Sequence, residues 1–218
     1  GSFGTRRGSV AVQTGNLGAG VAGYARFSTT ETDGFRDHSG VDQTNLFLSL
    51  GKQNERSMWR LTGFSGREES QLSYLAVDEA TLQANLRFNP LDPAERDAFG
   101  QDMLQLQYTR AIGDDSMLVA TAYYNGAQGW FGIWDDPVAK QNLLKYSIDG
   151  HFVGTMVTFS SAFGPATLNA GIHANDFTRD HFLRIAGEQI YTNTGKKNEA
   201  NAFAKLGYDS GRWHMYGD

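Results

Sequence analysis

Cysteine is absent from this 218-residue chain and proline is scarce, at four. Without cysteine there is no thiol nucleophile, no thiolate-held metal and no disulfide staple. Also missing is any helical run of ~18 or more apolar residues, so no transmembrane helix is expected. The charge imbalance is small and negative: 19 Lys and Arg against 24 Asp and Glu leave a net charge of -5. Nucleic acid is therefore not an expected partner, because phosphate binding needs a basic face. The opening residues Gly1 to Arg7 contain no apolar core of an export signal. No Gly-x-Ser-x-Gly, phosphate-cradling loop or Gly-x-Gly-x-x-Gly after a buried strand occurs, so neither an enzyme nor a cofactor is expected.

What is present is a rhythm. Gly numbers 26 and aromatics make up 12% of the chain, a composition suited to strands and turns. Tight turns fall at 15–18, 52–55, 113–116, 163–165 and 209–211, and long polar stretches lie around 33–41, 68–101, 127–146 and 178–198. Alternation of short and long connections is the pattern of a transmembrane β-barrel, with short periplasmic turns and long extracellular loops. The mean hydropathy of -0.44 does not oppose this, because a barrel strand alternates apolar and polar positions.

Side chains alternate across a strand with period two. Strands are expected at 6–14, 21–31, 43–51, 58–67, 102–112, 117–126, 146–161, 166–177, 200–208 and 212–218. Leu46, Leu48, Leu104, Leu106, Leu118, Leu168 and Ile172 share one phase relative to the turns, and are expected to face lipid. The opposite phase is neutral and polar, rich in Gln, Asn and Thr. Trp59, Tyr108, Phe163, Tyr208 and Trp213 sit beside short turns, as an interfacial aromatic girdle would. A short helix is expected at 78–87, capped by Asp78, within an extracellular stretch 68–101. The expected fold class is all-β: part of an antiparallel transmembrane barrel with about ten strands present. A closed ten-stranded barrel is the alternative.

Three stretches resemble the barrel of TonB-dependent outer-membrane receptors, particularly the siderophore and iron-chelate branch found in Bacteroidota. The first joins Ser2-Phe3-Gly4-Thr5 through Val10 with Tyr24 to Ser28 and with Thr32-Asp33-Gly34-Phe35-Arg36-Asp37-His38-Ser39. The second joins Gln83 to Pro90, Asp102 to Tyr108, Ala122 to Gly126 and Gly129-Trp130-Phe131. The third joins Phe177 to Phe182, Tyr191 to Lys205 and Tyr216 to Asp218. The resemblance implies a 22-stranded barrel of which residues 1–218 are roughly the first half, a partial barrel domain. The family's plug and second barrel half are not in this sequence. It further implies the outer membrane of a Gram-negative cell, import of a ferric siderophore or similar small chelate, and energy from the TonB complex acting through the plug. Outer-membrane lipid and lipopolysaccharide are the implied surroundings. A ten-stranded outer-membrane protease or hydrolase, or a passive porin, is the competing function.

The candidate ligand-binding residues are Arg36, His38, Trp130, Trp134, Arg179 and His181. Each lies just beyond an expected strand end on the side of the long stretches. Trp130 and Trp134 belong to a glycine-spaced aromatic run, read as a loop, whose rings can stack on a catecholate. The guanidinium groups suit the oxygens of an anionic chelate, or the phosphates of lipopolysaccharide. Asp33, Asp37 and His38, and likewise Asp176, Asp180 and His181, mix carboxylate with imidazole. They fit loop-tip hydrogen bonding better than metal binding or water activation, since no rigid spacing fixes three ligands.

Overall fold

The computed structural model describes residues 1–218. Ten strands follow one another: β1 (Arg6–Asn16), β2 (Val21–Thr32), β3 (Val41–Gln53), β4 (Ser57–Gln71), β5 (Arg96–Ile112), β6 (Ser116–Trp134), β7 (Leu143–Phe163), β8 (Ala166–Ile185), β9 (Glu188–Ser210) and β10 (Trp213–Gly217). A single helix, α1 (Glu79–Ala84), lies between β4 and β5. All ten strands form one sheet in sequence order, each antiparallel to the next, and β1 does not pair with β10. Strand contacts run only between sequence neighbours. No second layer covers either face, which excludes a sandwich, where two inner faces interdigitate. Nor do these ten strands close on themselves as the hydrolase alternative requires.

Paired residues of an antiparallel sheet share a face, so the register assigns every side chain. One row runs Leu50, Leu61, Leu106, Ala122, Thr155, Ala174, Ala200 across seven strands. The next runs Trp59, Tyr108, Ala120, Val157, Ile172, Ala202. Leu46, Leu48, Leu104, Leu118 and Leu168 join the same face, so all seven expected residues lie together. Through Leu46–Leu50, Trp59–Gly63, Leu104–Tyr108, Leu118–Tyr124, Val153–Phe163, Leu168–Ala174 and Ala200–Tyr208, this face carries no charged side chain. The rows on the other face alternate with these, for example Thr62, Gln105, Tyr123, Gly154, Asn175, Glu199. Arg60, His173 and Lys205 also stand on that polar face. The apolar band is uncovered: Leu50, Leu104, Ile172 and Leu206 are each more than half exposed.

Trp59, Tyr108, Phe163, Tyr208 and Trp213 all fall on the band face at the short-turn end. The rings of Trp59 and Tyr108 meet at 4.4 Å between centroids. The short turns hold as expected.

Of the four expected long loops, 178–198 is not a loop, and 68–101 and 127–146 shrink to 72–95 and 135–142. Residues 127–134 continue β6, 143–145 begin β7, 178–185 extend β8 and 188–199 begin β9. The fourth connection is only the pair Ala186–Gly187, with φ of 50° and 90°. Two successive positive φ values make the tight hairpin whose twist matches its strands. β5 to β9 therefore run 17 to 23 residues, well past the ~9–11 that a membrane-spanning strand needs. The excess lies at the end away from the girdle. The genuine loops there are 33–40, 72–95 and 135–142.

Candidate ligand mouth

The three loops form one hydrogen-bonded layer. The Arg36 guanidinium donates through Nη1 to the carbonyls of Ser73, at 3.1 Å, and Leu75, at 2.6 Å. The Asp37 amide donates to the Arg87 carbonyl at 2.7 Å, and Arg87 Nε stands 3.5 Å from Asp37 Oδ1. Buried Asn89 donates from Nδ2 to the carbonyls of His38 and Leu72, both at 2.9 Å. Leu91, in the same loop, is a buried apolar side chain, and its amide donates to Asn89 Oδ1 at 3.1 Å. Lys140 in loop 135–142 pairs with Asp92 in loop 72–95, and the Trp134 amide donates to Glu95 Oε1 at 3.2 Å. The Lys140 hydrogen bond, helped by the Ala94 amide, holds the Asp92 carboxyl below the usual carboxylate range. Asp78 caps α1 by accepting from the Thr81 amide at 2.8 Å, which lowers its carboxyl likewise.

Below the loop layer, on the polar face, lies a cleft of about 280 Å³. Asp97, Phe131 and Tyr146 share one row, and Phe99, Gly129, Ile148 and His181 the next. Phe131 and Tyr146 stack with centroids 5.1 Å apart and planes 21° from parallel. Tyr191 of β9 completes the apolar wall. Gly129 leaves room for the Phe99 ring: a Cβ there would stand 2.9 Å from Phe99 Cδ2. The rings of Phe99, Phe131, Tyr146 and Tyr191, with Ile148, offer apolar area to a flat ligand, while Asp97 and His181 supply polar atoms.

The six sequence candidates are not gathered in one place. Arg36 and His38 lie in loop 33–40; the Arg36 guanidinium is tied into the loop layer, whereas His38 joins it through its backbone carbonyl and not its imidazole. Arg179 and His181 lie in β8, not beyond it, on the polar face; Arg179 packs against Gly150 and over the Phe177 ring at 5.7 Å. Trp130 and Trp134 lie in β6 rather than in a loop, at positions of the opposite face. The Trp130 ring sits under Lys145 Nζ at 3.8 Å, so although its residue borders the cleft, its side chain leaves it. Asp176 and Asp180 share the face of Trp130 while His181 points the other way, so that carboxylate–imidazole set is not assembled.

Phe99, Tyr146, Ile148 and Tyr191 were not singled out in the sequence. Period-two counting from the band would have placed them, had the strands been carried far enough.

No family model and no curated protein matches this sequence. Solved structures do match its fold. The unliganded ferric citrate transporter FecA aligns with a TM-score of 0.82 and 12% identity, over 99% of this chain and 34% of its own. The ferric-catecholate import receptor Fiu from E. coli K12, in an open form, aligns at 0.76 with 11% identity, over 97% and 41%. The copper transporter OprC aligns at 0.63 with 16% identity, over 96% and 34%. This chain thus spans 34% to 41% of the length of each. The ten-stranded sheet has the fold that these proteins build over part of their chains.

Proposed function

We propose that residues 1–218 are a partial barrel domain of a TonB-dependent outer-membrane receptor that imports a ferric siderophore or a related metal chelate. The observation that carries this reading is the uncovered, uncharged band on one face of a single-layered sheet. Water does not support such a surface across so many strands, whereas hydrocarbon does. The polar face then looks into the barrel, and the loop layer looks away from the cell. In this reading the loops and the Phe131–Tyr146 cleft capture the chelate, with His181 and Arg179 nearby. Energy reaches the barrel from the TonB complex, through parts of the protein outside this chain. Likeness to transporters of ferric citrate, ferric catecholate and copper supports the class, and their different cargoes show that the fold does not choose the ligand.

Single cysteines at Leu106 and Gln105 of the intact protein, labelled with an environment-sensitive dye in native membranes, test the reading. Lipid-phase quenchers should reach the label at 106 and not that at 105. Equal quenching, or quenching at 105 alone, would remove the membrane wall and the function with it.

A further inference from the structure

We propose that Lys145 and Arg184 form a binding site for a core phosphate of the outer-leaflet glycolipid, lipopolysaccharide; the proposal rests on the membrane reading above. The two residues are direct cross-strand partners on β7 and β8. They stand on the band face, so in that reading they look outward rather than into the barrel. Neither makes an ion pair, although like charges placed directly opposite in a sheet repel. Each instead lies over an aromatic ring, Lys145 Nζ over Trp130 at 3.8 Å and the Arg184 guanidinium over Phe182 at 5.4 Å. A bound anion would relieve the repulsion, and a phosphate suits both donors.

The surrounding cleft, about 520 Å³, is also lined by Arg67, Glu69, Gln128 and Asp149. Arg67 is occupied by Asp102 at 2.7 Å. The carboxylates Glu69 and Asp149 repel an anion and confine it to the Lys145–Arg184 end. On this face Asp149 and Asp180 lie four residues nearer the band than Lys145 and Arg184, about 13 Å along the strands.

Height separates the two lipid sources of phosphate. The band on β7 ends at Val153, and Lys145 is eight residues further on. At ~3.3 Å per residue that is ~26 Å of strand, or ~20 Å above the band for a tilt of ~40°. Phospholipid headgroups occupy only ~5–8 Å beyond the hydrocarbon. A phosphorylated sugar core, which extends farther from the bilayer, reaches this cleft.

The test uses the intact protein extracted from its own outer membrane, in wild-type form and as K145A/R184A and K145Q/R184Q. Tightly held lipopolysaccharide is counted by native mass spectrometry, and binding of purified lipopolysaccharide with and without core phosphates is titrated. Both variants should bind at least tenfold more weakly, and wild type should lose a similar factor when the core phosphates are removed, with chelate uptake unchanged. Unchanged binding by the variants overturns the site. Equal binding of dephosphorylated core, or equal competition by phosphatidylglycerol vesicles, overturns the ligand assignment, as does loss of self-association or of a protein ligand without loss of glycolipid. Absence of the protein from the outer membrane overturns this proposal and the function together, whereas membrane residence with unchanged glycolipid binding overturns this one alone.

Discussion

Tyr123 Oη and His173 Nε2 lie 2.7 Å apart on the polar face, joined across the width of β7. The strand between them permits this because residue 154 is glycine: a Cβ there would stand 2.3 Å from Tyr123 Oη. Replacing Gly154 by Ala should drive the tyrosine from its partner and cost on the order of 1–2 kcal/mol. Thermal unfolding of the intact protein measures it. The penalty should shrink when Tyr123 is also changed to Ala, and an unchanged penalty would mean that the ring is not what the glycine accommodates.

The two faces make opposite predictions for the same substitution. Leu106→Arg places a cation in the middle of the apolar band and should destabilise by ~2–4 kcal/mol. Gln105→Arg, one residue away on the polar face, should change stability by less than ~1 kcal/mol. Unfolding of both variants in detergent or lipid compares them, and equal costs would contradict the assignment of faces.

Asn89 joins loop 33–40 to loop 72–95 through two carbonyl contacts. Asn89→Ala leaves those carbonyls unpaired beneath the loop layer and should weaken it by roughly 1–3 kcal/mol. Limited proteolysis of whole cells should then cut within 72–95 much faster than in wild type. Cutting only after the periplasmic side is opened would reverse the orientation.

The Lys140–Asp92 tie predicts a pH dependence. Asp92 has a lowered carboxyl pKa, so the tie contributes fully above the unfolded value near ~3.9 and is lost as pH falls through the lower folded value. The pair is partly exposed, so its contribution stays within ~1 kcal/mol. Hydrogen exchange in loop 135–142 should be steady from neutral pH down to ~5 after correction for intrinsic rates, and rise below ~4. Asp92→Asn should show the faster exchange already at neutral pH.

Much of the fold was legible in the sequence because the band imposes a period. Leu104, Leu106 and Tyr108 alternate with Gln105 and Gln107, and that contrast exists only where one face is apolar. Beyond the band aromatic and charged residues mix on both faces and the alternation is lost, so Thr178-Arg179-Asp180-His181 reads as loop although it is strand. The Ala186–Gly187 hairpin was hidden for a second reason, since alanine at positive φ has no turn signature. The site suffered from the same loss of period: a residue assigned to a loop has no face. Once β6 and β8 are continued, simple parity separates Trp130 from His181.

Energy-coupled chelate uptake is the measurement that tests the central claim most directly. Cells lacking the gene, and cells carrying it back, are given radiolabelled ferric chelates of citrate and catecholate type, with and without an uncoupler of the inner-membrane gradient. The account predicts that at least one chelate enters only when the gene is present, and that the uncoupler abolishes its entry. Entry that survives the uncoupler, as through a passive pore, or peptide cleavage without any gene-dependent uptake, would contradict it.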